Sequence, residues 1–119
     1  MLFRSLAVLG RDEDAADQIS AYFMLSGYER EDQEYGIAGA IWYFRTNSSS
    51  SRRHHFSDEH SSPAQRRVNI ACWAYGKDPQ VFDWVLKAAT VPRRRALRCE
   101  QEYEQLQRSI RQLLGSSLK

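Results

Sequence analysis

The chain has 119 residues, 42% of them hydrophobic and 27% charged, which is the balance of a globular domain with room for one core and not of a disordered chain. No apolar run approaches the roughly 20 residues of a membrane-spanning helix, and the brief apolar opening from Leu2 to Leu9 runs into Asp12, Glu13 and Asp14 where a secretory leader would carry a small-residue cleavage site. A single domain over 1–119, working in the cytoplasm, is the expectation; its net charge of +2 conceals four Arg against eight Asp/Glu in residues 1–46 and thirteen Lys/Arg against seven in 47–119.

The first helix is expected from Asp14 to Ser26, where Ala15, Ile19, Tyr22 and Phe23 make one apolar stripe and Gly27 is a natural stop. The acids Asp12 to Asp17 complement the positive end of its dipole. Residues 28–35 read as a polar connection. The most apolar block follows: Ile37, Ala40, Ile41 and Phe44 fit a helical face, with a buried strand over 37–44 as the alternative that periodicity does not separate.

From 46 to 62 the composition turns to serine, arginine and histidine, and this stretch reads as a long flexible loop. Ser62-Pro63-Ala64-Gln65 then places an N-cap, a first-turn proline and a capping-box glutamine in order, so a helix starts there and ends at Gly76. Asp78-Pro79 repeats the cap and proline for a helix over 79–89. Val91-Pro92 breaks the chain once more, and a final helix over 92–114 carries Ala96, Cys99, Tyr103, Leu106, Ile110 and Leu113 at alternating spacings of three and four. The fold class is therefore all-α, a small bundle of about five helices.

Cys72 and Cys99 both fall on apolar sides of these helices, where thiols act as small buried hydrophobes, and no disulfide framework is indicated. Three kinds of site are open. Short connections bring the starts of the 63–76 and 92–114 helices to one end, so that Arg52, Arg53, Arg66, Arg67, Arg93, Arg94, Arg95 and Arg98 gather into a basic pole suited to phosphate or nucleic acid. The acids of 12–17 or 29–34 covering that pole from within the fold are the competing explanation. The C-terminal seam, with Tyr103, Leu106, Ile110 and Leu113, together with Trp73 and Trp84 off the main stripes, offers a surface for another protein or a second copy.

His54, His55, Asp58, Glu59 and His60 are potential metal ligands, but a Ser-rich loop does not preorganise them; a solvated loop is expected, and no metal or cofactor is assigned. No nucleophile elbow, papain-like or phosphate-loop motif occurs. The functional expectation is a non-enzymatic helical interaction or regulatory protein, homodimeric through the last helix. A nucleic-acid-binding regulator is the alternative, and a metal- or thiol-dependent enzyme the third reading.

Overall fold

The computed structural model describes residues 12–47 and 62–118. Six helices make up the described fold: α1 (Asp12–Gly27), α2 (Arg30–Thr46), α3 (Pro63–Lys77), α4 (Val85–Ala88), α5 (Arg93–Ala96) and α6 (Cys99–Leu118). No strand occurs among the described residues, so the all-α reading holds and the 37–44 block is helical. Most of the stretch expected to be a flexible loop, 48–61, lies outside the described residues.

Helix α3 is the trunk, with each of the other five helices packed against it. Its sequence explains why. Ala71, Cys72 and Ala74 are fully buried, and Gly76 is buried as well, so small side chains let neighbours approach from several sides. The proline start works as expected: Ser62 is extended, and its Oγ accepts from the Gln65 backbone N–H at 3.1 Å. Around the trunk, Leu25 of α1, Ile37, Ile41 and Phe44 of α2, Phe82 and Val85, and Tyr103, Leu106 and Ile110 of α6 complete one core.

Three boundaries differ from the sequence expectation. The polar connection over 28–35 is instead the beginning of α2, which starts at Arg30. These first turns are solvent-facing and carry no apolar stripe to announce them; Glu31 and Asp32 suit the helix N-terminus, and the buried Gln33 donates its Nε2 hydrogen to the Tyr28 carbonyl. The expected helix over 79–89 is a run of turns with a single α-helical turn at Val85–Ala88. Asp78 does accept from the Val81 N–H at 3.2 Å, as a cap should, but Val85 and Leu86 bond back only three residues, to Phe82 and Asp83. Valines and bulky aromatics are middling helix formers, and here burial of Phe82, Val85 and Ala89 decides the backbone.

The final helix over 92–114 is two pieces. After α5, the Arg98 N–H bonds to the Arg95 carbonyl at 2.9 Å, a three-residue step that tightens the chain before α6 begins at Cys99. That step sets Cys99 against α3. Its sulfur is bonded to that of Cys72, with the Cα atoms 5.0 Å apart and both residues fully buried. The two expected free thiols are thus one disulfide: burial was read correctly, and the pairing went unseen because it depends on a helix crossing and not on spacing. Next to it the helices nearly touch, since a Cβ on Gly76 would lie 2.0 Å from the Cys99 carbonyl oxygen.

Candidate functional site

Four of the eight arginines expected to form one basic pole, Arg66, Arg67, Arg95 and Arg98, have separate structural partners. Arg66 forks onto Asp17 of α1, Nε to Oδ2 at 2.6 Å and Nη2 to Oδ1 at 2.8 Å, with its guanidinium 4.7 Å above the Phe44 ring. Arg95 forks onto Glu102 at 2.7 and 2.8 Å and also reaches the Asn69 side chain, while Arg98 stands 3.8 Å from the same carboxylate. Arg93 and Arg94 are exposed. Arg52 and Arg53 lie outside the described residues. Asp17 belongs to the acidic half, so one part of the pole is neutralised from within, as the competing explanation held.

Arg67 has a different task. Its Nε donates to the Ala89 carbonyl at 3.0 Å, and Arg45 of α2 donates to the neighbouring Ala88 carbonyl and to the Thr90 hydroxyl at 3.2 Å. Two cations therefore converge on the C-terminal carbonyls of α4, the negative end of a helical turn. Burial, and then the adjacent Arg45 charge, lower the Arg67 pKa from its ordinary value. Thr90 itself has a φ of +55°, the left-handed conformation that ends a helix and that β-branched residues rarely adopt.

The proposed contact surface is largely interior. Trp73, Tyr103, Leu106 and Ile110 are buried, the last three packing α6 onto the trunk, while Leu113 and Trp84 are half-buried. Much of the a/d seam packs against the chain's own α3 and α1. Large exposed aromatics instead stand on α2: Tyr35 is 78% exposed and Trp42 67%. Sequence reasoning placed these residues in a connection and in the core, and the signal it lacked was the position of α2's first turn.

Two open clefts flank this framework. One, of about 200 Å³, lies between α1, α3 and α6 and is bordered by Gln18, Trp73, Arg95, Glu102 and Ser109. The other, of about 410 Å³, lies between α2 and the turn preceding α4. A metal centre is not assembled by the described residues: no three of their His, Cys, Asp or Glu side chains converge to hold an ion. The cysteines are oxidised to a disulfide, and Asp17 and Glu102 are taken by guanidinium groups. All three histidines of the sequence, His54, His55 and His60, fall outside the described residues, with Asp58 and Glu59.

The chain belongs to the DUF4344 family, described as "Putative metallopeptidase", whose pattern it matches over residues 2–114. No curated protein and no solved structure matches it. Membership of that family overturns the expectation of a non-enzymatic interaction or regulatory protein, with its nucleic-acid-binding alternative, and points to a metal-dependent enzyme. The physical side of the correction lies in the two features that prompted those readings, an arginine pole and a helical seam, which the structure largely uses to hold itself together.

Proposed function

We propose that the chain acts as a metal-dependent peptidase, the third of the readings open from sequence. The observation that carries this is the family match over residues 2–114. Any imidazole ligand that this chain contributes is His54, His55 or His60, since the sequence contains no other histidine, and Asp58 and Glu59 are the carboxylates nearest to them in sequence. The run His-Glu-x-x-His, in which one helix supplies two ligands and a general base, does not occur in the sequence. The described residues do not form a ligand set.

The test is direct. Purified full-length chain, loaded with Zn²⁺ and freed of excess, should retain metal near one equivalent and cleave unstructured polypeptide, and a chelator should abolish cleavage. Replacing His54, His55 and His60 together by Ala should remove the metal while leaving the far-ultraviolet helical signal intact. A full-length chain that keeps no metal and cleaves nothing would overturn the reading.

For its location, no helix among the described residues is long and apolar enough to cross a membrane. We propose an oxidising compartment in place of the expected cytoplasm, on the support of the buried Cys72–Cys99 disulfide, because reducing cytosol keeps most such pairs as thiols.

A further inference from the structure

The first turns of α2 present Glu31, Glu34, Tyr35 and Ala38 at the i, i+3, i+4 and i+7 positions of one helical face, and this face borders the open cleft of about 410 Å³ whose opposite wall is Trp84. Two aromatic rings and two carboxylates thus line one cleft, with the Ala38 methyl group as the only other lining side chain among the described residues. The carboxylates are uncommitted: whereas Asp17 and Glu102 are held by arginines, neither Glu31 nor Glu34 pairs with a cation among the described residues. Glu31 and Tyr35 are exposed to solvent, and Glu34 is half-buried. Trp84 is packed beside Phe82, ring centroids 6.3 Å apart, and its buried Nε1–H has no acceptor among the described residues.

We propose that this cleft is a subsite for a lysine or arginine side chain of the polypeptide substrate. The polypeptide nature of the occupant rests on the peptidase reading; the choice of a basic side chain rests on the cleft. A cation is attracted to the faces of Trp and Tyr rings and to carboxylates at once, and its alkyl stem lies against apolar surface without desolvating the charge. An acidic side chain meets like charge in the same place, and a neutral one gains only the ring contact. Trp42, one turn beyond Ala38 on α2 and 67% exposed, extends apolar surface along the helix for the residues flanking the basic one.

Equilibrium binding separates this assignment from turnover. Four capped, unstructured peptides differing only at a central Lys, Arg, norleucine or Glu would be titrated into full-length chain while the three indole N–H resonances are followed in a ¹⁵N-correlated spectrum. The Lys and Arg peptides should shift the Trp84 indole saturably, and the norleucine and Glu peptides should bind at least about tenfold more weakly. E31Q/E34Q should weaken Lys-peptide binding by about the same factor, with Tyr35→Ala acting in the same direction. Trp84→Phe removes a buried donor that has no acceptor, so it should fold at least as well as the parent and still lose affinity, read through the remaining indoles. Equal binding of Lys and norleucine peptides, or Lys-peptide binding unchanged in E31Q/E34Q, overturns the subsite. So does self-association abolished by E31Q/E34Q, which gives the cleft to a second copy. Selective binding without cleavage leaves the subsite standing and counts against the peptidase reading; cleavage with no preference for basic residues does the reverse.

Discussion

Tyr103 shows how one atom can make a buried residue sensitive to pH. Its ring sits in the core between α6 and the other helices, and loss of solvent raises its hydroxyl pKa above the ordinary value near 10; a hydrogen bond with Ser26 and the Arg111 charge oppose that, and Tyr22 adds to it. The folded state therefore favours the neutral phenol. Its contribution to stability is complete below the unfolded pKa and is lost as pH rises through the raised folded value. Urea midpoints measured at about pH 8 and about pH 11 should fall more steeply for the parent than for Tyr103→Phe, which keeps the ring and removes the ionisation. An equal decline in both would assign alkaline sensitivity to the other tyrosines.

Residue identity also explains what the sequence disclosed. Ser62-Pro63 and Gly76 marked both ends of α3 within a residue, since caps and stops are local chemistry. Arg66 and Arg95 were recognisable as basic residues near helix starts, but their partners Asp17 and Glu102 were not, because one pair joins segments 49 residues apart across packed helices and the other spans the break between α5 and α6. The subsite on α2 escaped for a related reason. Glu31, Glu34 and Tyr35 read as an unstructured polar run until the helix beginning at Arg30 put them on one face.

At the scale of elements, two glycines in helices respond oppositely to the same change. Gly39 is exposed within α2, and an added Cβ meets nothing within 4 Å, so Gly39→Ala should raise stability by about 0.5–1 kcal/mol through helix propensity. Gly76 lies where α3 crosses α6; the added Cβ would lie 2.0 Å from the Cys99 carbonyl oxygen, an atom of backbone that cannot swing aside. Gly76→Ala should therefore cost about 3 kcal/mol or more despite its better helix propensity. Thermal unfolding of the two variants side by side checks both signs. The irregular stretch before α4 belongs to the same argument, since Asp78-Pro79 announces a helix locally while burial of Phe82 and Val85 bends the chain into turns. Local signals decided where elements start, and packing decided how long they remained regular.

For the whole molecule, the disulfide ties the trunk to the last helix across a sequence separation of 27 residues. Opening a loop of that size costs about 3.5 kcal/mol of folding stability on a chain-entropy estimate. Reduction, or replacement of Cys72 and Cys99 by Ala, should lower the unfolding free energy extrapolated from denaturant titration by that amount while leaving the helical content of the folded state near its original value. A reduced protein as stable as the oxidised one would remove the support for an oxidising compartment. The acidic and basic halves meet in the same architecture, through the Asp17–Arg66 fork between α1 and α3. That ion pair is partly exposed, so its contribution is modest, and its clearer effect is to orient α1 on the trunk.

The clasp on α4 has a consequence for how the molecule opens. Arg45 reaches it from α2 and Arg67 from the trunk, so the carbonyls of Ala88 and Ala89 are covered by two elements at once. The strained Thr90 backbone is kept in place by the same grip, with the Val91 N–H returning to Leu86 at 2.9 Å. Fraying this corner alone would break the Arg45 and Arg67 contacts together for no gain in chain freedom elsewhere. The short helical turn, which in isolation would not persist, is therefore coupled to the large-scale melting of α2 and α3, and the corner opens when the domain opens.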